Sequence, residues 1–271
     1  MKIISIFLIF SYFLLAQESY TIISFSPFYT YGKYSDQTPS NSKAVYGSVN
    51  FNGDLIFSSG VDLIKLDNTN WSYNQNSMFF LGIKKLSSIY LKVAGAYIKG
   101  SYEDDFFSEF NYRDENISLT TELVYDINWN YFGVAYNYFS SSKGFQTLKA
   151  SNFTLRFDKF LDYNTYISFR PNLYYENSSK KFLSLSSKLT YWFSSDLIAN
   201  LSFTFGNRRY YFDNDLLTIY NQYDVQKFVA GAGLDYSIID EITFSGGYQY
   251  TKFEKFNINY FFAGFRAKIF F

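Results

Sequence analysis

Six charged residues interrupt apolar stretches in a way that gives their side chains a common orientation. They are Glu122, Arg156, Arg170, Lys188, Arg266 and Lys268. Each has an apolar neighbour, such as Leu123, Phe157 or Leu189, and successive side chains of a strand point to opposite faces. The six side chains therefore lie opposite an apolar face. Five of them are basic, so the chemistry that fits this set is attraction of anions.

Enzymatic and redox chemistry is restricted by two missing residue types. The chain of 271 residues contains no Cys, which excludes disulfides, thiolate metal sites and thiol catalysis. It also contains no His, the usual general base and the commonest neutral metal ligand. We therefore predict no enzyme activity, no cofactor and no metal site. The 24 Lys and Arg residues equal the 24 Asp and Glu residues, so there is no electrostatic footprint for nucleic acid.

The charged residues belong to segments in which apolar and polar residues alternate with a period of two. In Leu197–Phe205 the apolar side chains occupy one face, and Asn200, Ser202 and Thr204 occupy the other. Aromatic residues make up 24% of the chain, yet its mean hydropathy is only −0.14, a combination typical of a membrane β-barrel. We predict about fourteen strands, with twelve possible, beginning near Thr21, Ala44, Leu55, Ser77, Ile89, Asn116, Tyr131, Gln146, Tyr163, Leu183, Leu197, Gln226, Ile242 and Ile258.

The connections between these strands alternate in length. Short turns are predicted at Asn52–Asp54, Asp126–Asn130, Lys159–Asp162, Ser194–Asp196 and Ile238–Glu241. Longer polar connections are predicted at Ser35–Lys43, Asp67–Asn76, Gly100–Glu115 and Gly206–Asp224. Short turns at one end and long loops at the other are typical of barrels in the outer membrane, where the short turns face the periplasm. We therefore predict an antiparallel up-and-down barrel with both termini at the periplasmic end.

The N-terminus predicts export of the chain. Lys2 precedes an uncharged apolar run from Ile3 to Leu15, and the small residue Ala16 follows. The run has the length of a signal-peptide core and is too short for a membrane-spanning helix. We predict a cleaved signal peptide at 1–16 and a single barrel domain at 17–271, located in the cell outer membrane.

The last strand carries the most specific residues. Phe265, Ile269 and the terminal Phe271 lie on one apolar stripe. In this feature the sequence resembles the Gram-negative outer-membrane β-barrel (porin-like) family, whose final strand ends in Phe. The resemblance implies that the barrel-assembly machinery reads these residues during biogenesis. It also implies outer-membrane lipid and lipopolysaccharide as partners, with a further envelope protein as an open possibility.

For the six charged residues, two interpretations stay open within such a barrel. Arg or Lys on the lipid face would cost about 2–4 kcal/mol near the midplane, so these side chains are expected inside. They are either a mildly anion-favouring pore wall, or charges that pair inside a filled barrel or reach its mouths. Two prolines, Pro27 and Pro171, lack the N–H donor that a closed barrel needs, which predicts local bulges or a lateral opening.

The long segment from Gly206 to Asp224 contains a run of cations and rings. Its members are Arg208, Arg209, Tyr210, Tyr211 and Phe212. The segment is long enough to fold inward as a constriction. It could equally be an exposed contact surface for lipopolysaccharide or another protein, or an ordinary external loop.

The leading functional expectation is a passive porin-like channel for small hydrophilic solutes, because the inward residues are mostly small or polar and a barrel of this size would admit water. One alternative is a non-conducting scaffold or surface-contact protein of an envelope complex. Another is a transporter of apolar substrates with a lateral opening near Pro27 or Pro171.

Overall fold

The computed structural model describes residues 20–143, 146–178, 180–213, 215, 218–220 and 224–271. The predicted signal peptide at 1–16 lies outside these residues. The strands are β1 (Thr21–Tyr34), β2 (Pro39–Phe51), β3 (Leu55–Asp67), β4 (Trp71–Leu86), β5 (Ile89–Asp104), β6 (Tyr112–Ile127), β7 (Asn130–Lys143), β8 (Gln146–Phe160), β9 (Thr165–Glu176), β10 (Lys181–Trp192), β11 (Leu197–Arg208), β12 (Tyr211–Asp213), β13 (Thr218–Tyr220), β14 (Gln226–Ile239), β15 (Ile242–Phe253) and β16 (Asn257–Phe270). One turn of 3-10 helix, Ser108–Phe110, lies between β5 and β6.

Fourteen of these strands form a closed antiparallel barrel, as the alternation predicts. Each strand from β1 to β11 and from β14 to β16 pairs with its neighbours along the chain, β11 pairs with β14, and β16 closes the barrel on β1. The backbones of Thr21 and Phe271 exchange two hydrogen bonds of 3.0 Å, so both described ends of the chain lie at one end of the barrel. Among the described residues, no helix has the length and apolar character needed to cross a membrane.

The two faces of the wall differ as the sequence predicts. On β6, Leu119 is 50% exposed on the outer face, whereas Ser118 and Thr120 beside it are buried on the inner face. The barrel strands have 12 to 16 residues, more than the 9–11 or so needed to cross the hydrocarbon layer. The outer face is therefore apolar over a span that fits a bilayer, and the inner face is largely polar.

Four of the short turns lie within or beside the segments predicted from the sequence, and the one predicted at Lys159–Asp162 lies at 161–164. Asn128 and Trp129 connect β6 to β7, and both have positive φ angles, 50° and 67°. A two-residue hairpin turn with positive φ at both positions matches the twist of the flanking strands. This turn lies at the same end of the barrel as the chain termini.

The connections at the other end are shorter than predicted. β2 begins at Pro39, β4 begins at Trp71, and the connection from β5 to β6 spans only 105–111. The prediction was wrong here because it took polarity as a sign of a loop. Strands that extend beyond a bilayer contact water on both faces, so their side chains can be polar while their backbones stay paired, as in the pair Tyr102 and Tyr112.

The prediction of bulges at the two prolines was also wrong. Phe25 pairs with Ala267 and Phe28 pairs with Gly264, which is one continuous register on both sides of Pro27. The two intervening pairs are missing from the β1–β16 ladder, and two pairs are likewise missing from the β8–β9 ladder around Pro171. The φ angle of proline is compatible with an extended strand. Each lost N–H therefore leaves a local gap in the ladder without shifting the register.

Candidate functional site

The chain leaves the barrel wall after β11, which ends at Arg208. Two residues earlier, Gly206 has a φ of +98°, and a Cβ atom there would lie 2.4 Å from the carbonyl oxygen of Leu183, so only glycine fits. The pairing of β11 with β14 shifts register between Phe205 and Arg208. Such a bulge redirects the strand that contains it. The segment after β11 then forms a small hairpin, β12–β13, whose strands pair with each other and form a sheet separate from the barrel.

The aromatic residues at the start of this hairpin, together with Tyr210 just before it, pack against three different strands of the wall. The ring centroids are 4.9 Å apart for Tyr210 and Phe139 on β7, 6.2 Å for Tyr211 and Tyr174 on β9, and 6.2 Å for Phe212 and Phe79 on β4. All six side chains are buried. Because one short segment touches inward residues from distant strands, the hairpin lies inside the barrel. This arrangement is the inward fold that the sequence left open for the segment.

The two arginines before the hairpin are buried and paired. Arg208 donates a hydrogen bond to the side-chain oxygen of Gln226, and its guanidinium lies 4.9 Å from the centre of the Tyr211 ring. Arg209 forms an ion pair with Glu176 at 3.3 Å. A buried cation needs such partners, because it loses its hydration on burial. Both arginines therefore fix the base of the hairpin to the wall.

At the tip of the hairpin, Asp215 contacts three cations. Its Oδ1 lies 2.9 Å from Nζ of Lys92, and its Oδ2 lies 2.8 Å and 2.5 Å from the guanidinium nitrogens of Arg156 and Arg170. These cations come from β5, β8 and β9. Both oxygens of one carboxylate are thus held by charged donors from three strands of the wall.

The wall supplies two further carboxylates to the same cluster. Arg156 binds Glu122 through two nitrogens, at 2.5 Å and 3.2 Å, and binds Asp158 at 2.9 Å. The hydroxyl of Tyr166 donates a 2.6 Å hydrogen bond to Asp158. We call the following residues the charged cluster: Lys92, Glu122, Arg156, Asp158, Arg170 and Asp215.

The electrostatics of the cluster favour the ionised form of Asp215. This residue lies in the connection between β11 and β14, outside the strands of the wall. Burial alone would raise the pKa of this carboxyl. The positive charges of Lys92, Arg170 and Arg156 outweigh that effect and hold its pKa well below the ordinary value. The docked hairpin therefore carries a stable negative charge at its tip.

The other side of the hairpin contacts an apolar part of the wall. We call the following buried residues the apolar cluster: Phe79, Leu81, Ala94, Ala96 and Phe212. Tyr46 and Ile83 pack against it. The rings of Phe79 and Phe212 are nearly parallel, with an interplanar angle of 5°. The hairpin thus contacts both a charged part and an apolar part of the lumen wall.

A small cavity lies beside Arg156 of the charged cluster. Its volume is about 10 Å³, and Asn137, Asn152, Arg156, Tyr211 and Phe212 are among the residues that border it. That volume suits about one water molecule. The side-chain oxygens of Asn137 and Asn152 are buried and accept no hydrogen bond from any residue that the structure describes. A water molecule in the cavity would satisfy them.

The structure brings together three of the six charged residues predicted to lie inside: Glu122, Arg156 and Arg170. Lys188 is half-buried on β10, and Arg266 and Lys268 are half-buried on β16. Within the described part of the chain, none of these last three forms an ion pair. Of the predicted assembly residues, Phe265, Ile269 and Phe271 are all exposed on the outer face.

Three members of the charged cluster were missed by the sequence analysis. Lys92 lies between Leu91 and Val93, so the same alternation that selected Arg156 also predicts an inward Lys92. Asp158 follows the outward Phe157 and could have been found in the same way. Asp215 lies in a connection, where alternation gives no information about direction.

No family model and no curated protein matches this sequence. Solved structures do match its fold. The CymD monoaromatic hydrocarbon channel superposes with a TM-score of 0.63 at 8% identity, covering 94% of this chain and 89% of that chain. The toluene transporters TbuX of Ralstonia pickettii and TodX of P. putida give TM-scores of 0.56 and 0.53 at 8% and 9% identity, each covering 94% of this chain and 90% of the other. At such identities the likeness shows the fold alone, which is that of an outer-membrane β-barrel.

Proposed function

We propose that this chain is a passive outer-membrane channel for small hydrophilic solutes, and that the β12–β13 hairpin is its constriction. One observation carries the proposal: the hairpin that occupies the lumen is a sheet of its own, separate from the barrel. It is held there by side-chain contacts. Such a unit can move while the barrel stays closed, because no ladder of the wall has to break.

Two further observations support a channel. Much of the inner face is small and polar, with buried residues such as Asn152, Thr154 and Ser168, which are too short to fill a fourteen-stranded barrel without the hairpin. The solved structures with the same fold include channels and transporters. In this proposal Lys188, Arg266 and Lys268 line the water-filled part of the lumen, and the charged cluster lines the constriction.

Single-channel conductance tests the proposal. The protein is purified from the outer membrane of an expressing cell, and heat-modifiable gel mobility verifies the folded barrel. In planar bilayers we expect small ohmic steps. Replacing 211–220 with Asn-Gly removes the hairpin but retains Arg208 and Arg209, so the steps should become several-fold larger.

A matched control shortens a connection outside the lumen. Replacing 105–110 with Asn-Gly should leave the conductance unchanged, because this connection joins β5 and β6 at the end of the barrel. A folded barrel that stays silent even without the hairpin would refute the channel. It would favour the non-conducting scaffold, in which the lumen has no transport role.

A second candidate function, transport of apolar substrates, is favoured by the apolar cluster. A ring-bearing solute could replace Phe212 on Phe79, where two parallel rings already stack. The names of the solved neighbours, a monoaromatic hydrocarbon channel and toluene transporters, agree with this candidate. The gap in the β1–β16 ladder at Pro27 is the place where the wall could part for a lateral exit.

Permeability separates the two candidates. Cells that express the chain should become more permeable to small sugars if the route is hydrophilic, and to toluene if it is apolar. Substituting Pro27→Val restores a backbone N–H donor towards β16. Reduced toluene uptake in this variant, with sugar uptake unchanged, would support the lateral exit.

We also propose that Phe265, Ile269 and Phe271 act as the assembly signal, with the barrel-assembly machinery and lipopolysaccharide as partners. Their exposure on the outer face supports this role, because an assembly factor can reach them before insertion. Deleting Phe271 should reduce insertion in cells while refolding in detergent continues. Equal loss in both assays would indicate a purely structural role.

A further inference from the structure

The binding geometry around Asp215 is that of a carboxylate receptor. Three charged donors reach the two oxygens of one carboxylate at distances between 2.5 Å and 2.9 Å. The donors belong to the wall, on Lys92, Arg156 and Arg170, whereas the carboxylate belongs to the hairpin. The receptor thus belongs to the barrel, and its occupant to the turn of a hairpin that is separate from the barrel.

The wall is electrostatically incomplete without this occupant. Its three cations face two wall carboxylates, Glu122 and Asp158, which leaves a net charge of +1. Arg156 keeps both carboxylates as partners. Among the wall residues that the structure describes, Arg170 would keep Asp158, at 3.8 Å, and a hydrogen bond to Ser168. A single negative charge with two oxygens, at the place of the Asp215 carboxylate, completes the set.

We infer that Lys92, Arg156 and Arg170 form a binding site for the carboxylate of a transported solute, and that Asp215 occupies this site when no solute is bound. The inference rests on the proposed channel function and names its substrate class, small monocarboxylates. An incoming carboxylate competes with Asp215 for the same donors. Its binding therefore releases the tip of the hairpin.

A solute carboxylate and the Asp215 carboxylate cannot hold the same three donors at once, which couples binding to opening. The cavity beside the cluster, about 10 Å³, holds no more than one water molecule. A solute larger than water does not fit into this cavity beside Arg156 and Arg170 while Tyr211 and Phe212 border it. Solute binding and hairpin docking exclude each other, so a solute shifts the equilibrium towards the undocked state.

A carboxylate fits this site better than phosphate does. Phosphate carries more than one negative charge near neutral pH, which exceeds the net charge of +1 that the wall presents. Its additional oxygens would also approach Glu122 and Asp158, which accept hydrogen bonds and do not donate them when ionised. The remaining wall is matched to one planar monoanion.

Binding can be measured without any current. The full protein, purified from the outer membrane in a nonionic detergent, is titrated calorimetrically with butyrate and with the uncharged isostere butyramide. Asp215→Ala removes the internal competitor, so we expect butyrate to bind this variant at least about tenfold more tightly than it binds the wild type. Asp215→Asn provides a second test if the alanine variant folds poorly. Butyramide should bind neither protein.

A second substitution assigns the binding to the cations. Adding Arg170→Met to Asp215→Ala should weaken butyrate binding by about tenfold or more, because one charged donor is lost. The matched control adds Lys65→Met instead, which removes an exposed cation outside the charged cluster and should leave the affinity unchanged. Heat-modifiable mobility verifies that every variant is folded.

Each failure has a distinct signature. Equal affinity of wild type and Asp215→Ala for butyrate, or equal binding of butyrate and butyramide, would overturn the carboxylate site. Binding of inorganic phosphate as tight as that of butyrate would overturn the assignment of substrate class. A barrel that binds butyrate but conducts no current without its hairpin would refute the channel and retain the site. A barrel that conducts current but binds no butyrate would refute the carboxylate site and retain the channel.

Discussion

The two sides of the lumen hold the same hairpin by different physical means. On one side, the charged cluster surrounds Asp215 with cations from three strands. On the other, Phe212 stacks on Phe79 within the apolar cluster. The two clusters meet on β5, which contributes Lys92 to one, and Ala94 and Ala96 to the other.

The difference between the sides lies in how they respond to loss of a single group. Buried charges compensate one another, so removing one leaves its former partners unpaired in a poorly hydrated site. The stabilisation from apolar contacts is proportional to the apolar area that they bury. Shortening one side chain therefore lowers this stabilisation only by the area that is lost. We therefore expect abrupt effects on the charged side and graded effects on the apolar side.

The largest effect is expected from Arg156→Met. The substitution leaves Glu122, Asp158 and Asp215 without their central cation, and breaking a buried ion pair in this way costs about 3–5 kcal/mol. Urea unfolding of the barrel in lipid vesicles measures the free energy of unfolding. The control is Lys65→Met, which removes an exposed cation paired with Asp67 and should change stability little. Similar values for the two variants would show that the charged cluster is hydrated and contributes no more than a surface pair.

A smaller effect is expected from Asp215→Asn, which keeps the shape of the side chain and removes its charge. Hydrogen bonds to charged groups contribute about 1.5–3 kcal/mol, so the hairpin should undock roughly ten to a hundred times more often. Opening events in single-channel records measure this frequency. Asp105→Asn, in the exposed connection between β5 and β6, is the matched control. An unchanged opening frequency would mean that the apolar cluster alone holds the hairpin.

The apolar side can be tested with adjacent residues of β4. Phe79→Leu keeps most of the apolar volume but loses the parallel ring contact with Phe212, which is worth about 1 kcal/mol. Phe80→Leu makes the same chemical change on the outer face. We expect more frequent opening in the first variant and no change in the second. If both variants open alike, the stacked rings do not contribute to docking.

The fold was largely predictable because a barrel wall has a strict period. Leu119 and Glu122 lie at odd and even positions of β6, so their side chains point to opposite faces of the wall. In a closed barrel, all side chains of one face point outward and all side chains of the other face point into the lumen. The same rule predicts that Arg156 and Arg170 face the interior. Strand ends such as Pro39 and Trp71 were not predictable, because polar residues form both loops and water-exposed strands.

The partners inside the lumen were much less predictable. No local pattern connects Asp215 with Lys92, which lies more than a hundred residues away and belongs to a different strand pair. Gly206 was the available clue to the inward fold, since glycine permits the positive φ in the bulge that precedes the end of β11. Its position next to the buried run from Arg208 to Phe212 becomes meaningful only with the structure.

The smallest effect is expected from mild acidification. It should act on the charged side of the lumen, at Asp215, and not on the apolar side. Docking lowers the pKa of Asp215, because nearby cations outweigh the opposing effect of burial. A carboxyl with a lowered pKa contributes its full stabilisation above its ordinary value of 3.8 and loses it only as the pH falls through the lower docked value. Opening frequency should therefore stay constant from about pH 7 to about pH 5 and rise at still lower pH. Asp215→Asn lacks this carboxyl, so its opening frequency should rise less than that of the wild type in the acidic range. The contact between Phe212 and Phe79 contains no titratable group and should not depend on pH. A wild-type channel that opens more often already near pH 5, beside an unchanged Asp215→Asn variant, would show that the three cations do not hold the carboxylate.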